Sequence, residues 1–112
     1  MSIQDSKIEA EMNRGFLQIM VLLALETPMY GYMMLRFIEE IGYSIEENTL
    51  YPILRRLEKN GWLCSRWDVE HDRPKKYYEI TDEGKIIRKK LLSIRQKQNG
   101  VISKLLKEVN NG

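Results

Sequence analysis

The chain has 112 residues, 43% of them hydrophobic and 30% charged, with a formal net charge of +2. That balance excludes a disordered polar chain and fits one small folded domain, with or without an added helix. The single cysteine, Cys64, excludes an internal disulfide, and the longest early apolar run, Ile19 to Leu25, is far too short to span a bilayer. The expectation is a cytoplasmic protein with no membrane partner. A core this small also favours association with further copies of the chain.

Charge is unevenly distributed. Residues 1–47 carry 3 basic and 8 acidic side chains, residues 48–76 carry 7 and 4, and residues 77–112 carry 8 and 4. The second half is the part that would suit an anionic partner, although charge alone is better accounted for by a solvated surface rich in lysine.

In chain order, Ile8, Met12, Phe16, Ile19 and Leu23 recur at helical spacing, predicting an amphipathic helix from Ser6 to Leu25. Thr27-Pro28 stops it, because a residue before proline disfavours the helical region. Tyr30-Gly31-Tyr32 opens a second helix whose stripe is Met34, Leu35, Phe37, Ile38 and Ile41, closed by Gly42 as a left-handed cap. A third helix starts between Ser44 and Asn48. Its face is Leu50, Ile53, Leu54 and Leu57, and Asn60-Gly61 ends it. Pro52 is tolerated if it falls in or near the first turn, where amides have no intrahelical acceptor.

The period then changes to two. Trp62 to Val69 predicts a strand, His71-Asp72-Arg73-Pro74 a turn, and Lys75 to Ile80 the returning strand. Thr81 is the expected N-cap of a last helix, with Asp82 and Glu83 in its first turn. That helix runs to about Val109. Ile87, Leu91, Ile94, Gln98, Val101 and Leu105 form a heptad seam along it, and Gly100 weakens the middle of the helix. So long an apolar edge needs a partner helix, most simply from a second copy.

The summed order is three helices, a hairpin and a long helix. The fold class is mainly α with a small β-hairpin: a winged helix-turn-helix over residues 1–80 and a dimerisation helix over 81–112. In that arrangement the third helix enters the DNA major groove and the hairpin is the wing. Candidate DNA contacts are Tyr32, Asn48, Thr49, Tyr51 and Arg55 on the helices. On the wing they are Arg73, Lys75, Lys76 and Tyr77. Arginine forks match guanine edges and phosphate alike. Asn48 and Thr49 also serve as possible helix caps, and Tyr51 as a core residue. Lys75 and Lys76 point to opposite faces of their strand, so one of them reaches DNA. Trp62, Trp67 and Tyr78 are expected to pack, and Arg56 to form an internal ion pair.

Several short motifs together resemble the PadR family of transcriptional regulators. They are Pro28-Met29-Tyr30-Gly31-Tyr32, Thr49-Leu50-Tyr51-Pro52 with Arg56-Leu57-Glu58, Gly61-Trp62-Leu63, Arg73-Pro74-Lys75-Lys76-Tyr77-Tyr78 and Thr81-Asp82-Glu83-Gly84. The short C-terminus resembles the subfamily with one dimerisation helix. The resemblance implies a homodimeric repressor that binds a palindromic operator in double-stranded DNA and is released by a small-molecule effector. It also implies that the last helix meets the partner's first helix, which adds Ile8 and Met12 to the interface. Family members often have histidine where Tyr30 stands. Some multidrug-responsive members carry a tryptophan where Arg95 stands, and paired arginines do not make a flat apolar slot.

The competing class is a winged-helix protein-interaction module that does not touch DNA. An enzyme is not expected. No phosphate-cradling glycine loop or nucleophile elbow is present, and a lone His71 with a lone Cys64 makes no metal site and implies no cofactor.

Overall fold

The structure, a computed structural model, describes residues 3–70 and 72–111. The turn assigned to His71, and its exclusion as a metal ligand, fall outside the described residues. The elements are α1 (Ile3–Ala24), β1 (Met29–Tyr30), α2 (Gly31–Ile41), α3 (Glu47–Lys59), β2 (Leu63–Asp68), β3 (Lys75–Ile80) and α4 (Asp82–Asn111). The winged helix-turn-helix with a long last helix is the fold.

Both short helices end as glycine spacing requires. Gly42 has φ 111° and Gly61 has φ 82°, a region that costs other residues strain. At each end two amides turn back onto the last helical turn. Tyr43 N–H donates to Ile38 O and Gly42 N–H to Glu39 O, and Trp62 N–H donates to Leu57 O and Gly61 N–H to Glu58 O. Thr81 caps α4 as expected, its Oγ1 accepting from Gly84 N–H at 2.9 Å and donating to Gly61 O at 2.7 Å.

Pro52 is a correction. It is the sixth residue of α3, beyond the four amides that lack an intrahelical acceptor. It therefore leaves the Asn48 carbonyl without its i+4 donor. The helix continues because Leu50, Ile53, Leu54 and Leu57 are all buried on one face.

The sheet is three-stranded and antiparallel, in the order β1-β3-β2, rather than a bare hairpin. Met29 pairs with Tyr78 and Tyr30 with Tyr77, while β2 pairs with β3 from Leu63–Ile80 out to Asp68–Lys75. Two residues carry no period, so β1 exists only because β3 offers it an edge.

The core joins α1 (Leu17, Val21, Leu22) with Leu25 just beyond it, α2 (Met34, Leu35, Ile38), the buried face of α3, and Leu63, Tyr78 and Ile80 of the sheet. The stripe read along α1 is displaced from the buried face: Ile8, Met12, Phe16 and Leu23 are exposed. Arg88 of α4 closes the end of α1, donating to Glu26 Oε2 at 2.5 Å and to Leu22 O at 3.4 Å.

The seam of α4 divides. Ile87 and Leu91 are half-buried against the core of their own chain. Part of each is thus already covered within the chain. Beyond them Ile94, Val101 and Leu105 are exposed, and from Gln96 to Asn111 every residue is exposed. Arg95 is half-buried, its Nη2 only 3.6 Å from where a Cβ on Gly15 of α1 would stand.

Candidate nucleic-acid interface

The N-terminus of α2, the flank of α3 and the wing, with residues of both its faces, line an open groove. Gly31 opens α2 and is buried, because the Tyr51 ring lies across it. A Cβ at that position would stand 2.8 Å from Tyr51 Cε1 and 2.9 Å from its hydroxyl oxygen. The absence of a side chain at Gly31 thus lets α2 and α3 approach. Tyr51 is half-buried, and burial pushes its hydroxyl above the ordinary tyrosine range, with Glu47 adding to the effect. It stays a neutral donor at the groove wall.

Six of the nine sequence-predicted DNA residues line this groove: Tyr32, Tyr51, Arg55, Lys75, Lys76 and Tyr77. Tyr32 is exposed, and its hydroxyl accepts from Arg36 Nη1 at 3.2 Å. Arg55 is exposed on α3. Asn48 is exposed at the start of that helix, and Arg73 is exposed in the turn between β2 and β3. Thr49 faces elsewhere, lining a second depression with Arg56 and with Asn13 and Arg14 of α1. The capping roles of Asn48 and Thr49 are corrected. Both lie inside α3, whose N-cap is Glu46, with no side-chain cap bond. Arg56 is exposed and makes no ion pair among the described residues.

The wing has two chemically distinct faces. On the outer face the Tyr30 and Tyr77 rings meet edge to face, centroids 4.9 Å apart. Arg66 lies over Tyr77 at 5.0 Å and Lys75 over Tyr30 at 5.3 Å. The Tyr30 hydroxyl donates to Asp68 Oδ2 at 2.6 Å, and this bond is the main reason its pKa is raised. On the inner face Tyr78 is buried, as expected. Lys76 sits 5.5 Å over the Tyr78 ring, with its Nζ 3.3 Å from Glu58 Oε1 of α3. Lys75 is accordingly the more available of the two lysines.

Trp67 corrects its assignment as a packing residue: it is 63% exposed. Strand alternation puts it on the inner face with Leu63 and Ser65, but the core does not reach that far along the wing. It lines the groove beside Pro74. Arg66 is the wing residue that sequence reasoning passed over, and Trp67 the one that it assigned to packing. The signal for Trp67 was its distance in residues from Leu63, the last β2 position in the core.

The family model for the Transcriptional regulator PadR-like family matches residues 19–90. The chain belongs to the PadR-like family of transcriptional regulators. A PadR family regulator from Eggerthella lenta has the same architecture, with a TM-score of 0.84, 40% identity and 90% of each chain covered. A transcriptional regulator of Mycobacterium tuberculosis is 32% identical over 62 residues, covering 55% of this chain and 58% of that protein. The Bacillus subtilis PadR in complex with operator DNA is 26% identical, with a TM-score of 0.63, covering 69% of this PadR-like chain and 45% of that one. No described helix is long and apolar enough to cross a membrane.

Proposed function

We propose that the chain is a sequence-specific DNA-binding repressor that works as a homodimer. In this reading α3 enters the major groove, Arg55 and Asn48 meet bases or phosphates there, and Arg73 and Lys75 of the wing meet the backbone. The observation that carries it is the convergence of Tyr32, Tyr51, Arg55, Lys75 and Tyr77 on one groove beside an exposed helix flank. That a related PadR is found on operator DNA supports the same use of the fold. Homodimerisation is supported by the exposed apolar residues Ile94, Val101, Ile102, Leu105, Leu106 and Val109 on α4, with Ile8 and Met12 on α1. Two α3 helices related by a two-fold axis would read half-sites about 34 Å apart. Relief by a small molecule follows from the family's general behaviour. Arg95 stands where some family members place a tryptophan, and its guanidinium lies by Gly15 of its own α1, so no pair of stacked indoles is offered to an effector.

The test is titration of the protein against labelled duplex from upstream of its own gene, across a range of salt. Replacing Arg73 and Lys75 together by alanine is expected to weaken binding to all sequences. It should also lower the salt slope by about two, one for each lost phosphate contact. Arg55→Ala should weaken the operator more than unrelated duplex. Parent-like affinity in the wing variant would remove the wing from the interface. Absence of any duplex binding at low salt would favour the protein-interaction module.

A further inference from the structure

Glu58 is an anomaly on the proposed DNA-binding helix. It lies one turn beyond Arg55 and is half-buried. An unpaired carboxylate there would oppose phosphate. Instead it is occupied twice. Ser65 Oγ of β2 donates to its Oε2, and Lys76 Nζ of β3 lies 3.3 Å from its Oε1. One side chain of α3 thus holds both strands of the wing. The two side chains of the Lys76–Glu58 pair are 32% and 31% exposed, so water screens them only in part.

The position of this clamp matters more than its strength. Ser65 pairs with Tyr78 and Trp67 with Lys76 across the sheet. From Tyr78 inward the inner face is core: Leu63, Tyr78 and Ile80 are buried. From Trp67 outward it is not: Trp67 and Val69 are 63% and 70% exposed. Glu58 is therefore the last inner-face attachment before the wing tip leaves the body. Arg73 and Lys75 lie on that tip.

We propose that Glu58 is a positioning residue, which sets the distance and angle between the recognition helix and the wing through Ser65 and Lys76. Lys76 belongs to this internal clamp, and Lys75 is the strand lysine left for phosphate. The inference rests on the DNA-binding reading above for its consequence, though the clamp itself does not.

Coulomb's law and positioning give opposite signs, which makes the test sharp. Glu58→Gln removes a negative charge beside the phosphates. If charge alone mattered, binding would tighten. If Glu58 positions the wing, binding weakens although the protein has become more positive. The expected result is a loss of about three- to fivefold in affinity, the scale of one partly exposed ion pair. Lys76→Met should lose a similar factor with the salt slope unchanged, since no phosphate contact is removed. The double variant should be no worse than either single one. Exchanging the charges, Glu58→Lys with Lys76→Glu, should regain most of the loss. Amide hydrogen exchange supplies a readout without DNA: the amides of β2 and β3 outward of Ser65 and Tyr78 should exchange faster in Glu58→Gln. Parent-like or tighter binding by Glu58→Gln, or unchanged wing exchange, would overturn the proposal. Failure of the parent protein to bind any duplex would overturn the DNA reading alone, and the exchange measurement would still decide the clamp.

Discussion

The two halves of α4 make an instructive comparison. From Asp82 to Arg95 the helix is anchored: Thr81 caps it, Arg88 closes the end of α1, and Ile87 and Leu91 share the core. From Gln96 to Asn111 the same periodicity continues, and every residue is exposed. Helices of about 12–15 residues are marginal in water without tertiary support. The first half is therefore stabilised by its own subunit, while the second leaves Val101, Ile102, Leu105, Leu106 and Val109 exposed. On the proposed reading, one continuous helix would serve as both a structural strut and a docking edge, joining the DNA-reading body to the dimer contact.

The severest way to break this comparison is to place Val101→Asp and Leu105→Asp together on the distal half. The dimer should be lost outright in sedimentation equilibrium, with helicity falling only by the distal segment. Emission from Trp62, which is half-buried against the core, should persist. Operator affinity should fall by about a hundredfold or more, as a linked pair of half-site contacts becomes two independent ones. A dimer that survives both charges would mean that the partner surface lies elsewhere.

Leu54→Ala strikes the opposite region. Leu54 is fully buried among α1, α2 and the sheet. Its truncation should cost about 2–5 kcal/mol, read as a lower denaturant midpoint with unchanged slope. It should destabilise the body without changing which surface of α4 associates. Stability unaffected by this change would mean that the core is not centred on α3.

The same contrast explains what could be read in the residues alone. Periodicity located every helix, because each apolar stripe is long. The strands β2 and β3, the cap at Thr81 and the stops at Gly42 and Gly61 follow from local chemistry that needs no neighbour. β1 did not show, since two residues pair only when β3 is already in place. Pro52 was tolerated deeper in α3 than local rules allow, because the burial of Leu50, Ile53 and Leu54 outweighs one missing hydrogen bond. Alternation separated Lys75 from Lys76, but it did not say which of them would find Glu58. That depends on how the sheet leans against α3. Trp67 looked like core because tryptophan usually is, whereas on its face the core ends four residues earlier, at Leu63. The groove was legible as a set of residues and illegible as a shape.

The finest probe of the comparison is Gly100→Ala. Gly100 lies in the unsupported half of α4, and a Cβ there would meet nothing within 4 Å in its own chain. At about 100° per residue, Gly100 points to the side of the helix opposite the stripe of Val101, Leu105 and Val109. Alanine at that position should therefore touch neither the body nor a partner docked on the stripe. What remains is the backbone term: glycine inside a helix costs about 0.5–1 kcal/mol relative to alanine. In a helix held at both ends by packing, that gain would be spread through the whole fold. In a segment that gains order only on association, it should appear as helicity of the isolated subunit and as a dimer tighter by about two- to fivefold. If alanine weakens the dimer instead, the partner helix approaches closely at Gly100. The docking edge would then lie on the far side of α4, away from the apolar stripe.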